Sequence, residues 1–229
     1  MLQRFFRSTG MAVLLAASSA FVVPSAQAQA DPQAHILASE ASLSNFLRDP
    51  DMSWLQQNFG RAKAVIISPE IVKAGFIFGG SGGRGVLIGR DSLTGKWKGP
   101  VFYTLATASV GFQAGIAASE NITLVMTQKG LNTLLAPSVK LGGDASVAAG
   151  PVGAGAASDV TTDFVAFARS KGVYGGVNLD GTVISVNNDW NTAYYGKSVL
   201  PPDILVRGAA TNKGASALLG NVSKAAGGK

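Results

Sequence analysis

Gly75-Phe76-Ile77-Phe78-Gly79-Gly80-Ser81-Gly82-Gly83-Arg84-Gly85, followed by Val86-Leu87-Ile88, decides how this chain is read. The segment from Gly80 to Gly85 fits G-x-G-x-x-G to the letter. A dinucleotide loop of that form needs a helix directly after it, because the helix N-terminus binds the pyrophosphate. Here an apolar β-branched run follows and Asp91-Ser92-Leu93-Thr94-Gly95 then turns the chain. No G-x-x-x-x-G-K-[ST] pattern supplies a Walker loop, since Asn191 stands where the one Gly-Lys-Ser, Gly196-Lys197-Ser198, would need a glycine. The glycines therefore read as positions where backbone bends or passes close to backbone within a sheet.

Working outward from this stretch, Gly99 to Ser119 is 21 residues without a charge and contains Gly111-x-x-x-Gly115. That length would span a bilayer, and the glycine pair would suit helix dimerisation. Thr104, Thr107, Ser109 and Gln113, with Pro100 near the start, favour buried strands instead. Short strands are predicted at Val65–Ile67, Phe76–Phe78, Val86–Ile88, Val101–Thr107, Ser109–Ala117 and Ile122–Thr127. Further ones are predicted at Val139–Leu141, Ser146–Ala149, Phe164–Ala168, Val173–Val177 and Val183–Val186. Ser68-Pro69-Glu70 reads as a cap and first turn of a brief helix to Lys73. A weak internal echo links Ala114–Gly130 with Ala154–Gly172: small residues, an acidic turn, an apolar strand and a Lys-Gly exit.

Before the strands, Ile36, Leu37, Leu43, Phe46, Leu47, Trp54, Leu55 and Phe59 recur at helical spacing, and Asp49-Pro50-Asp51 divides the run into two helices. After them, Asp189–Tyr195 reads as a short helix, Pro201-Pro202 as a stop, and Ala215–Ala225 as a final helix. The fold class is α+β: a twisted, mostly antiparallel sheet, open or barrel-like, with N-terminal and C-terminal helices packed on it.

Residues 1–28 read as a secretory signal peptide: Arg4 and Arg7, the apolar run Met11–Val23, and the small-residue end Ser25-Ala26-Gln27-Ala28. Residues 29–229 then form a single domain, periplasmic or secreted and peripheral to an envelope membrane. Without Arg4 and Arg7 the 19 basic residues become 17 against 13 acidic ones, a net charge of +4. The basic residues are scattered, which gives no nucleic-acid footprint. The chain has no cysteine and one histidine, His35, read as an exposed terminal residue. That inventory provides no cysteine nucleophile and no His/Cys metal site. The carboxylates fall mostly at turns and caps, and neither a catalytic constellation nor a cofactor is expected.

Two surfaces are candidates for lipid contact. The first is the N-terminal helical stripe, Phe46, Leu47 and Trp54 with Arg48, Arg61 and Lys63 nearby. Its alternative is packing on the sheet. The second is Lys96-Trp97-Lys98, an amphipathic tryptophan between two cations at a turn edge, which a solvated hairpin would equally explain.

Ala62–Ile67, Gly75–Gly85, Trp97-x-Gly99-Pro100 and Gly111-Phe112-Gln113-Ala114-Gly115 together resemble the SYLF domain, also called the Ysc84 actin-binding family. The likeness continues through Leu141-Gly142-Gly143, Ala149–Gly153, Gly172–Val177 and Asn191–Gly196, and covers about residues 40–205. The resemblance implies affinity for anionic phospholipid. Phosphoinositides and actin are ligands of eukaryotic members, and actin is not expected as a partner of an exported bacterial protein. An envelope protein is the alternative partner.

Overall fold

The computed structural model describes residues 31–75, 78–110, 115–153, 161–170, 173–176 and 179–227. The segment read as a signal peptide lies outside them, as does part of the second copy of the internal echo.

Nine strands form one sheet: β1 (Ala64–Gly75), β2 (Phe78–Arg90), β3 (Trp97–Val110), β4 (Gly115–Val125), β5 (Ser138–Lys140), β6 (Val147–Ala149), β7 (Phe164–Ser170), β8 (Val173–Gly176) and β9 (Val183–Val186). The order is β5-β9-β3-β2-β1-β4-β7-β6, with β8 added to β7. Every pairing is antiparallel except β6 with β7. Among the described residues β5 and β6 do not meet, so the sheet curls as a half-barrel and stays open.

Among the described residues six α-helices accompany the sheet: α1 (Pro32–Arg48), α2 (Ser53–Asn58), α3 (Gln128–Thr133), α4 (Asn188–Tyr195), α5 (Pro201–Leu205) and α6 (Ser216–Ala225). Asp31 caps α1, accepting from the Gln33 amide at 2.9 Å, and Pro32 sits in the first turn, where its missing N–H costs nothing. Asp49-Pro50-Asp51 does divide the N-terminal run, through a 3₁₀ turn, into α1 and α2.

Both faces of the sheet are covered at its inner half. Val65, Ile67, Val86, Phe102, Ile122 and Phe167 meet α1, α2 and α6, while Ile66, Leu87, Tyr103, Val125 and Phe164 meet residues from α3 and α5 on the opposite face. A strand buried on both faces reads as a continuous apolar run, which is why Val65-Ile66-Ile67 shows no alternation.

Four expectations are corrected. Ser68-Pro69-Glu70 opens no helix; it is a bulge inside β1, whose register shifts between Ile67 and Glu70, and a bulge is where a paired strand tolerates proline. Pro201-Pro202 is the first turn of α5 instead of a stop. Gln128-Lys129-Gly130, read as a strand exit, opens α3, with the Thr127 hydroxyl accepting from the Gly130 amide at 2.9 Å. Ser109–Ala117 is no single strand, because β3 ends at Val110 and β4 begins at Gly115. Gly99–Ser119 is thus divided between two antiparallel strands, and no helix among the described residues is long and apolar enough to cross a membrane.

From Phe78 to Gly85 the glycine-rich stretch lies within β2, Gly75 ends β1, and Phe76 and Ile77 of the expected Phe76–Phe78 strand lie outside the described residues. A Cβ at Gly83 would come 2.4 Å from the Glu70 carbonyl oxygen on β1, so close backbone approach fixes this glycine.

Candidate functional site

The strand register gathers five of the sequence-predicted residues at one end of the sheet. β1 and β3 begin there and β2 and β4 end there: Ala64 pairs with both Gly89 and Val125, Gly89 with Lys98, and Arg90 with Trp97. The Lys63 amide donates to Val125 at 2.7 Å, and the Arg90 amide donates to Lys63 at 2.7 Å. Arg61, Lys63, Lys96, Trp97 and Lys98 are therefore neighbours despite spanning 38 positions of sequence.

The β2–β3 turn at this end is tightly built. Asp91 accepts from the amides of Leu93 and Thr94, both at 2.9 Å, and its backbone carbonyl accepts from Gly95. Gly95 has φ +70°, a conformation that favours glycine. The Asp91 carboxylate also pairs with Lys98. That ammonium and the Thr94 and Leu93 amides hold its carboxyl well below the usual carboxylate range. The turn presents Leu93 with 94 % of its surface exposed. Leu93 and the 59 %-exposed Val206 line a recess of about 110 Å³ with Leu131 and Leu135.

Trp97 does not project into solvent. Its half-buried ring lies 6.4 Å from Phe59 and beneath the Arg90 guanidinium at 5.9 Å, so it supports the turn. Arg90 in turn donates to the Gly95 carbonyl at 3.2 Å and the Gly60 carbonyl at 3.0 Å. Lys63 and Lys96 are exposed and form no ion pair with another described residue. Arg61 is exposed and donates to Asn58 at 2.8 Å.

A second basic pair adjoins this end. Arg48 and Lys224, from the last turns of α1 and α6, border a groove of about 600 Å³ with Leu37, Leu47 and Ala225. Close contact of Gly60 with the Ala226 carbonyl carries the surface from that groove to Arg61. The outcome is a basic belt: Arg48, Lys224, Arg61, Lys63 and Lys96, with Leu93 at its far end.

The remaining sequence candidates fall elsewhere. Phe46 and Trp54 are corrected from lipid-facing positions to core ones. Phe46 is fully buried, Trp54 is 4 % exposed, and the indole stands 5.9 Å from Phe167 of β7. An amphipathic stripe beside a sheet with an apolar face packs on that face, which removes the same area from water without a partner. His35 is also corrected. It is half-buried, stacked edge-on to Trp190 at 5.2 Å, and burial together with Arg84 lowers its pKa to about 4. Leu93, Val206 and Lys224 went unnoticed in the sequence. A large apolar residue within the polar turn Asp91–Gly95 was the one available signal.

Comparison with known proteins bears on what this surface does. A family model described as "Ysc84: Las17-binding protein actin regulator" matches residues 106–225. LAS seventeen-binding protein 3 of Saccharomyces cerevisiae is 32 % identical over 152 residues, covering 63 % of this chain and 33 % of the yeast protein. The SH3 domain-containing YSC84-like protein 1 of Homo sapiens is 28 % identical over 150 residues, covering 63 % of this chain and 43 % of the human one. The match thus covers about a third of the yeast relative's length. These relatives are named for binding or regulation, and none of the names denotes an enzyme.

Proposed function

The chain belongs to the Ysc84 family, and from that premise we propose a non-enzymatic binding module that docks on anionic phospholipid through the basic end of its sheet. The observation carrying this reading is Leu93, 94 % exposed on a turn held by Asp91, at the same end of the sheet as Lys63 and Lys96, which form no ion pair with another described residue. An exposed leucine on a rigid support costs little ordering entropy on insertion, and its burial contributes about 1.5–3 kcal/mol. Each basic residue near an anionic surface adds about 1 kcal/mol, an attraction that salt screens. Arg48, Lys224, Arg61, Lys63 and Lys96 supply the long-range part, and Leu93 supplies the anchor.

With residues 1–28 removed as a signal peptide, this surface would meet a bacterial envelope membrane from the periplasmic or outer side. N-terminal sequencing of the protein from a periplasmic fraction tests that placement, with a start at Gln29 expected. For docking, cosedimentation with vesicles should rise as anionic lipid replaces neutral lipid and fall at high salt. Binding indifferent to both variables would sink the proposal.

The names of the relatives favour a second reading, in which the belt meets an acidic protein partner in the envelope. Under that reading Lys63→Ala with Lys96→Ala abolishes a protein pull-down and leaves vesicle binding intact.

A further inference from the structure

Beyond the helices, the outer halves of β1–β4 leave one face of the sheet uncovered. Cross-strand register places Glu70 of β1 opposite Arg84 of β2, yet no ion pair joins them. The Arg84 guanidinium instead lies 4.6 Å from the centre of the Trp190 ring on α4. It sits over that ring, and its N–H groups make no hydrogen bond with another described residue, an arrangement suited to a phosphate or carboxylate. The Glu70 carboxylate is exposed and makes no hydrogen bond with another described residue. His35 borders the same recess, of about 480 Å³, and its buried Nε2 has no hydrogen-bond partner.

The neighbouring carboxylate, Glu120, has partners of its own, although its buried Oε2 makes no hydrogen bond with another described residue. Glu120 accepts from Ser42 at 3.1 Å and Asn45 at 3.4 Å, and pairs with Arg169 at 3.7 Å. Glu70 and Arg84 thus stand opposite one another, and neither forms an ion pair with another described residue.

Outward from this pair on the same face, the register aligns Ala118, Val72, Gly82 and Ala106 across four strands, and then Ile116, Ala74, Gly80 and Ala108. The result is a floor of mostly small residues on which Val72 is 40 % exposed and Ile116 80 %. A Cβ built at Gly82 meets only the Leu105 carbonyl oxygen, at 3.7 Å, so the space above it is open.

We propose that this recess binds a single zwitterionic amphiphile, its phosphate on Arg84, its primary ammonium on Glu70 and its apolar tail along the Val72–Ile116 floor. Two features favour a primary ammonium over a quaternary one. Glu70 accepts N–H donors, and the Trp190 face that a quaternary group would need is taken by Arg84. The site is separate from the docking end, and neither requires the other.

The test uses the purified protein and short-chain lysophosphatidylethanolamine below its micelle concentration, titrated calorimetrically against its phosphoglycerol and phosphocholine counterparts. The ethanolamine amphiphile should bind most tightly. Losing one charge-assisted contact should weaken binding about 10-fold, so Arg84→Gln weakens all three amphiphiles and Glu70→Gln weakens only the ethanolamine form, removing its advantage. Gly82→Leu should block the tail with little strain at that open position. Phosphoethanolamine without a tail should bind at least 10-fold more weakly than the amphiphile.

Lys63→Ala with Lys96→Ala should leave this affinity unchanged, which separates the outcome from that of vesicle docking. Unchanged melting temperatures and circular dichroism confirm that the variants fold. Equal affinity for the three headgroups, equal binding by Glu70→Gln, or equal binding of the tailless headgroup overturns the proposal.

Discussion

Trp54, between Arg48 and Arg61 six and seven positions away, and Trp97, directly between Lys96 and Lys98, both read as amphipathic aromatics near cations, but they end in opposite settings. Trp54 projects from α2 against Phe167 and is buried by the apolar face of the sheet. Trp97 starts an exposed end of that sheet, where it props up a turn carrying Leu93 and the free cation Lys96. What separates them is the area available for burial beside each one. A helical stripe next to a sheet face is consumed by the core, and only a feature at a strand end escapes.

The largest expected effect breaks the first half of this contrast. Phe46→Ala or Trp54→Ala should cost about 3–5 kcal/mol in urea unfolding, the usual range for truncating a buried aromatic. Near-wild-type stability with lost vesicle binding would return both residues to the lipid surface. Next, Lys63→Ala combined with Lys96→Ala should remove about 2 kcal/mol of vesicle affinity, about 30-fold, and flatten its salt dependence without changing stability. Leu93→Ser should reduce affinity about 10-fold and keep the salt dependence, because it removes an apolar anchor and no charge.

A separate, pH-dependent effect concerns His35, which meets Trp190 and lines a recess with Arg84 and Glu70. Its pKa falls from 6.5 to about 4 on folding through burial, with repulsion from Arg84 adding to it. Between those values the unfolded chain binds more protons, so stability falls as pH drops from about 6.5 towards 4. His35→Gln should flatten that part of a melting-temperature profile. An unchanged profile would place His35 in a more solvated setting.

Much of the fold was legible because its signals are local. Asp49-Pro50 interrupts a helix wherever it occurs, and Val86-Leu87-Ile88 after the glycines excluded a nucleotide loop. Pro69 misled because its tolerance depends on a bulge, which exists only through pairing with β2 and β4. The candidate site was legible as residues but not as a place. Arg61, Lys63, Lys96 and Lys98 were named from composition, while their adjacency follows from the register of β1, β2 and β3. Leu93 stayed hidden because exposure is a property of the turn that Asp91 organises, and Lys224 because α6 reaches Gly60 only in three dimensions.

Single-tryptophan proteins, with the other two tryptophans replaced by phenylalanine, test the contrast most directly when bound to anionic vesicles containing brominated lipid. The account predicts quenching of Trp97 fluorescence on binding and none of Trp54. Quenching of Trp54 with Trp97 unaffected would contradict it, placing the helical stripe, and not the end of the sheet, against the membrane.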